Sequence, residues 1–471
     1  MNRRQFSRAF LGALGASALS PRILSAISAL RLPLLPGKGG AMADSGAASH
    51  RNALPTRAHS RPLDLPRINA PRLHGWLKDL SRFGERPDGG VDRLAFSDAE
   101  IQARAFVRSL MEEADLEVRV DEAGNILALR PGRESLPPLM LGSHIDSVPA
   151  GGNFDGPLGT LGAIEVARTL ADEGVETRHP LEVVVFTNEE GGKTGSRIMA
   201  GEFRPEELEL VAAAGCTIRE GILRLGGNPE ALHRARREPG STAGFLELHV
   251  EQGGVLEAEG IPIGVVEGIV GIRRWNGTVH GEANHAGTTP MDQRKDALLA
   301  AAELVQAVNR AAASLPGGQV ATVGRIQALP GAPNVIPGEV RLSVEIRDLS
   351  MEGIQEVFRL VRREADAIES AHGTPTLLEE FYESAAAPTD ERFRSWVEEA
   401  AQGLGLAHRR MPSGAGHDAQ AVAQFAPVGM IFIPSVGGIS HHPDEYSRPE
   451  DVEAGVDVLL RTLLLADERL S

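Results

Sequence analysis

Apolar and polar positions along the chain fall into blocks that read as α/β structure. Residues 97–117 (SDAEIQARAFVRSLMEEADLE) repeat apolar side chains at helical spacing behind a Ser97 or Asp98 cap, with Glu100 placed for a capping box. The following segment, LEVRVDEAGNILALR, alternates about Gly124-Asn125 as a hairpin does. Short apolar runs at 138–142 and 181–187 flank a helical stretch at 158–172. That order of strand, helix and strand predicts an α/β domain with a mixed, mostly parallel sheet covered by helices. From Gly264 the pattern becomes strand (IGVVEGIV, then a polar stretch to His280), helix (292–312), two strands (VATVGRI, EVRLSVEIR), helix (351–371) and strand (TLLEEFYES). This is a βαββαβ, ferredoxin-like unit inserted in the larger domain. From Ala385 helix and strand alternate again and complete the main sheet. The main domain is thus expected in two parts, 67–263 and 385–471, around an insertion at 264–384.

The N-terminus has a different character. Arg3-Arg4, Phe6 and an apolar Ala/Gly-rich run resemble a twin-arginine export signal. Residues 1–43 carry six basic and no acidic residues and end on the small-x-small triplet Ala41-Met42-Ala43, with Ala16-Ser17-Ala18 a weaker competitor for cleavage. Residues 44–66 are Pro/Ser/Ala-rich and read as a linker. The expectation is a protein passed folded through the twin-arginine export machinery to the periplasm or beyond. A formal charge of -16 argues against a nucleic-acid partner. No apolar run of membrane-spanning length follows the leader, and a single cysteine, Cys216, makes no internal disulfide.

Five short elements sit at the ends of predicted strands or in loops: Gly142-Ser143-His144-Ile145-Asp146, Gly152-Asn153-Phe154-Asp155-Gly156, Asn188-Glu189-Glu190-Gly191, Glu247-Leu248-His249 and Ser440-His441-His442-Pro443. Each alone says little. Together they supply imidazoles, a carboxylate able to bridge and a glutamate pair, enough to hold two divalent ions about 3.5–4 Å apart.

These elements, with GGNFDGPLG, FTNEE, ELHVEQG, NHAGTTPM, NVIPG and GISHHPDE in the same order, resemble the dinuclear-zinc amidase and peptidase superfamily. The resemblance covers residues 67–465 and is to the branch of allantoate amidohydrolases, N-carbamoyl-L-amino-acid amidohydrolases and β-ureidopropionases. It implies His144, Asp155, Glu190, His249 and His441 as ligands of two divalent metals, zinc or else manganese or cobalt, with Asp155 bridging. It implies Glu189 as general base and Asp146 as the partner orienting His144. Gln252 and His285 would hold the ureido head and its oxyanion, and Asn334 and Arg347 the substrate carboxylate, with Arg274 an additional contact. The implied reaction is hydrolysis of a ureido C–N bond in a small carboxylate-bearing substrate by metal-activated water. The insertion would serve as a lid and as the contact surface of a homodimer.

One departure concerns the loop after Glu190, which is shorter here (Gly191-Gly192-Lys193-Thr194-Gly195-Ser196) than the family's Arg-Phe and longer connection. It leaves the substrate's identity open. An N-acyl-amino-acid deacylase or dipeptidase on the same scaffold and a secreted metal-binding protein without catalysis are the competing readings. Gln252 with His285, Asn334 and Arg347 favours the ureido branch over the first, and Glu189 beside a ligand counts against the second. His417-Asp418 matches the family without a role that the sequence reveals.

Overall fold

The computed structural model describes residues 66–470. The expected leader and all but the last residue of the expected linker lie outside them. Fifteen strands follow in chain order: β1 (Glu117–Val120), β2 (Ile126–Arg130), β3 (Leu139–His144), β4 (Leu181–Phe186), β5 (Gly244–Val250), β6 (Ile263–Ile269), β7 (Gly271–His280), β8 (Asn284–His285), β9 (Val320–Leu329), β10 (Val335–Ile336), β11 (Glu339–Asp348), β12 (Thr376–Ser384), β13 (Ala387–Pro388), β14 (His408–Ser413) and β15 (Val428–Ile433). The main sheet runs β1-β2-β4-β3-β5-β15-β6-β13, with β14 also on β6.

At its centre β4, β3, β5 and β15 are parallel. Toward the edges β1–β2, β2–β4, β15–β6 and β6–β13 are antiparallel, and only β14 rejoins β6 in parallel. The expected mostly parallel sheet is therefore correct only for the four central strands. Those four are buried along their whole length. Successive side chains of a strand point to opposite faces, so Leu139, Leu141, Val183 and Val185 enter one hydrophobic cluster and Met140, Val184 and Phe186 the other. Helices Pro157–Asp172 and Pro449–Arg469 cover the first face.

The small sheet runs β12-β7-β11-β9, antiparallel throughout, and is interleaved with helices Ala297–Ser314 and Met351–His372 in the order strand, helix, two strands, helix, strand. Val340, Leu342, Val344 and Ile346 of β11 pack under these helices, while Arg341, Ser343, Glu345 and Arg347 alternate onto the open face. The strand expected to open this unit, at 263–270, belongs instead to the main sheet as β6. The first strand of the insertion is the polar run Gly271–His280, whose alternation is blunted because much of it is only half-buried. The chain leaves the main sheet after Ile269 and returns at Ala387, its direct register partner.

Candidate active site

Because the central strands are parallel, their carboxyl ends share one edge, which is where chemistry gathers in open α/β sheets. His144 is the last residue of β3, Glu189 and Glu190 follow β4, His249 is the penultimate residue of β5, and the loop after β15 brings His441. Asp155 lies just before the helix Pro157–Asp172, whose N-terminal amides favour a carboxylate. Between them Gly156, at φ 83°, allows the loop to press on His144: a Cβ there would sit 2.4 Å from His144 Cε1.

Asp155 is the hub. Its Oδ1 lies 3.5 Å from His144 Nε2 and 3.2 Å from His249 Nε2, and its Oδ2 lies 3.3 Å from His441 Nε2, which is itself 3.4 Å from Glu190 Oε1. Two donor groups thus form, His144–Asp155–His249 and Asp155–Glu190–His441, each with its donor atoms within 4.8 Å of one another and with Asp155 common to both. His144 Nδ1 donates to the Asp146 carbonyl at 3.0 Å and His249 Nδ1 to the Val250 carbonyl at 2.9 Å. That tautomer leaves a lone pair on each Nε2, facing carboxylate oxygen. Buried His249 Nε2 has no hydrogen-bond partner.

The electrostatics point the same way. Burial, then the charges of Asp155 and Glu189, push the Glu190 carboxyl up to about 10. Burial also raises Glu189. Burial works against Asp155 as well, but His249, His144 and His441, when they carry protons, outweigh it and hold its carboxyl well below the usual range, a positive charge that bound cations would supply instead. Lone pairs converging on crowded carboxylates call for positive charge. A nitrogen and oxygen donor set of this kind fits two divalent cations sharing Asp155.

Asp146 acts differently from the expectation. Its carbonyl, not its carboxylate, takes the His144 proton; the carboxylate is 3.6 Å from that nitrogen. The two carboxylate oxygens instead accept the backbone N–H of Glu189 at 3.2 Å and of Glu190 at 3.1 Å, so Asp146 sets the glutamate pair. Glu189 itself is nearly buried, with Oε2 3.9 Å from His144 Nε2. Gln252 comes directly to the cluster, donating from Nε2 to Asp155 Oδ2 at 2.6 Å, and its Oε1 is a buried acceptor with no partner.

The remaining expected residues divide into two places. Arg347 and Arg274 meet on the open face of the small sheet near the crossover, where their Nε atoms donate to the two oxygens of Glu345 at 2.8 and 2.6 Å. Arg347 Nη1 also donates to the Gly414 carbonyl of the main domain at 2.6 Å. His285 and Asn334 lie elsewhere, on the β8–β10 pair and beside it. They adjoin the end of β7 and β11 marked by the His280–Glu339 pair, the end away from the crossover. Glu339 and Arg347 lie eight strand steps apart on β11, roughly 27 Å at the rise of an extended strand. Within one chain, His285 and Asn334 therefore stand well away from Arg347.

Several residues that shape the site carry no role that the sequence reveals. Glu445, in GISHHPDE, joins the Asp155 loop to the His441 loop. Arg93 is fully buried and donates to the carbonyls of Ile145, Leu80 and Phe83 and to Asn153 Oδ1, tying the β3 loop to its surroundings. His417 stacks edge-on against His249 at 4.5 Å between ring centres and shares a 2.7 Å hydrogen bond with Ser413. Asp418 accepts from Ser196 Oγ at 2.6 Å. In the short loop Lys193 turns back with φ 57° and places Nζ on Gln420 Oε1 at 2.5 Å.

Residues 140–465 match the sequence profile of peptidase family M20/M25/M40. The chain belongs to this family. Within it, the chain is 40% identical over 402 residues to the N-carbamoyl-L-amino acid amidohydrolase of Geobacillus stearothermophilus, covering 84% of this chain and 98% of that protein. It is 37% identical over 412 residues to the ureidoglycolate hydrolase of Arabidopsis thaliana, covering 84% and 86%. Among solved structures, a hydantoinase/carbamoylase-family amidase from Burkholderia multivorans superposes with a TM-score of 0.80 at 38% identity, over 86% of this chain and 99% of that one. The family member described here is a metal-dependent hydrolase of non-peptide C–N bonds, of the branch that the sequence motifs indicated. Among the described residues no helix is long and apolar enough to cross a membrane.

Proposed function

We propose that this protein hydrolyses the ureido group of a small carboxylate-bearing acid, with N-carbamoyl-L-amino acids and allantoate-like ureido acids as the substrate class. The relatives that act on such compounds support this, and so does the observation that carries most weight, Gln252 Oε1. Asp155 requires the NH2 side of the Gln252 amide, which leaves its Oε1 a buried acceptor without a partner. An unpaired buried acceptor is costly unless a ligand supplies an N–H. A ureido terminus does, and the methyl of an acetyl group does not.

His144, Asp155 and His249 would hold one divalent cation, zinc by preference, and Asp155, Glu190 and His441 the other. Bound there, such cations polarise the ureido oxygen and lower the pKa of water toward 7. Glu189 takes a proton from the attacking water and returns it to the departing nitrogen as the C–N bond breaks. The products from an N-carbamoyl acid are the amino acid and carbamate, which falls to carbon dioxide and ammonia. Asp146 keeps Glu189 aimed by bonding its backbone. His285 has the right tautomer for an oxyanion donor: its Nδ1 accepts from Gly287 N at 3.0 Å and Thr288 N at 3.2 Å, so the ring proton is on Nε2. Its distance from Arg347 supports a homodimer in which His285 and Asn334 reach the site of the neighbouring subunit, with the inserted domain as lid and interface. Export through the twin-arginine route to the periplasm completes the proposal.

The test is ammonia release from matched N-carbamoyl, N-acetyl and dipeptide substrates of one amino acid. Turnover of the acetyl or peptide compound alone would give the protein to the deacylase or peptidase reading. Arg347 separates carboxylate recognition from chemistry. Arg347→Ala is expected to raise the barrier for carboxylate substrates by about 1.5–3 kcal/mol, the range for a charged hydrogen bond, and to change an amide analogue little. Equal losses in kcat/KM for both would mean that the bonds to Gly414 and Glu345, not substrate, are what Arg347 serves.

A further inference from the structure

Glu445 is buried and carries four hydrogen bonds from two separate loops. Its Oε1 accepts from Phe154 N at 2.9 Å and Asp155 N at 3.0 Å; its Oε2 accepts from Ser440 Oγ at 2.7 Å and His441 N at 3.3 Å. One oxygen therefore grips the loop of the shared ligand, 290 positions from Glu445 in sequence, and the other the loop of the late imidazole. No cation is paired with it, and no lysine or arginine lies within ion-pair distance among the described residues. The loop opposite is shaped to receive it, since a Cβ on Gly152 would fall 2.4 Å from the Glu445 side chain.

The five ligands are held very unequally without it. His144 and His249 stand on buried central strands, and each has its ring fixed by a backbone carbonyl. Glu190 has its backbone held by Asp146. His441 is 47% exposed, lies in an irregular loop and has a left-handed backbone at φ 55°, a conformation that a non-glycine residue keeps only when its surroundings impose it. Its backbone N–H goes to Glu445. Ser440, next to it, sits 2.7 Å from Glu445 and 2.9 Å from Asp155 Oδ2 with a single proton to give. The carboxylate that a cation already neutralises needs that proton less, which leaves it to Glu445.

We infer that Glu445 is the positioning residue of the second metal site: it holds the His441 loop in register with Asp155 and thereby sets the affinity of Asp155–Glu190–His441 for its ion, while His144–Asp155–His249 keeps its own hold. The inference rests on the two-metal reading given above. Glutamine is the informative replacement, because it has nearly the same shape but one accepting oxygen in place of two. It can satisfy Phe154 and Asp155 or the His441 side, and its NH2 meets a backbone N–H on the other.

The experiment is stepwise chelation of the zinc-loaded, full-length protein, with zinc retained per chain measured by elemental analysis for wild type and Glu445→Gln, and melting followed by circular dichroism. Wild type is expected to hold two ions. Glu445→Gln is expected to release one of them at roughly 10–100-fold lower chelator, the usual effect of removing a group that orients a ligand, and to release the other as wild type does. Loss of both ions in parallel, or retention of both at wild-type affinity, would overturn the inference, the first by making Glu445 a general support of the fold. A wild type that binds a single ion would instead sink the two-metal reading on which the inference stands. Glu445→Asp serves as the rescue: one methylene shorter but with two accepting oxygens, it is expected to recover part of the second site's affinity where glutamine does not.

Discussion

A Glu189→Gln enzyme is expected to keep its fold and both metals and to lose roughly 10²–10⁴ in kcat, the usual contribution of a positioned acid–base group. The reason lies in how the glutamate pair is divided. Glu190 is the member whose oxygen meets His441 and Asp155, whereas Glu189 joins neither donor group, so its replacement takes no ligand away. The backbone N–H that fixes Glu189 to Asp146 is untouched by a change in side chain. Glutamine fills the same nearly buried space and lacks only the ability to take up a proton and give it back. Because that service is rendered in the transition state, kcat and kcat/KM should fall together with little change in KM. Steady-state kinetics with metal content on the same sample decides the matter, and near-normal turnover would remove Glu189 from its role.

His285→Ala is expected to cost roughly 10²–10³ in kcat, the worth of one oxyanion donor, although His285 is far along the insertion from its own chain's Arg347. The two variants together test from which subunit the imidazole comes. In a dimer joining one His285→Ala chain with one Glu189→Gln chain, one of the two sites has an intact Glu189 and receives an intact His285 from its neighbour. Random reassortment makes such hybrids half of the population, so mixing two nearly inactive proteins should restore about a quarter of wild-type turnover. If no activity returns although hybrids are demonstrated, His285 does not act across the interface.

The sequence made the site more legible than its frame. Ligands announce themselves because chemistry restricts them: few residue types bind a divalent ion, and they occur here at strand ends, where an apolar run stops abruptly at His144 or at Glu189-Glu190. Glu445 had no such mark. A carboxylate accepting backbone amides looks like any polar loop residue until the loops that donate to it are brought together. Where the small sheet begins is hard to read for a related reason. Strand β6 and the opening of β7 run on with only Val270 between them, so nothing in the periodicity shows that the apolar run belongs to one sheet and the polar run to another. Helix Ala70–Ser81 is not apparent in the sequence, although Asn69 caps it and Leu73, Leu77 and Leu80 follow its inner face. It is short, begins Ala-Pro, and directly follows a stretch whose composition reads as linker. The separation of His285 and Asn334 from Arg347 is a length and not a pattern, visible only in the span of β11.

The pairing of Ile269 with Ala387 has a mechanical consequence. His249 precedes the insertion and His441 follows it, so the ligand set is drawn from both sides of a domain of over a hundred residues that a lid motion would displace. Because β6 and β13 are hydrogen-bonded to each other at the root of that domain, the two connecting chains are clamped before they enter it. A rotation of the insertion about this root, as the proposed lid requires, would bend both connections in the same place. In the proposed lid, opening and closing would therefore leave the distance between His249 and His441 to the main sheet.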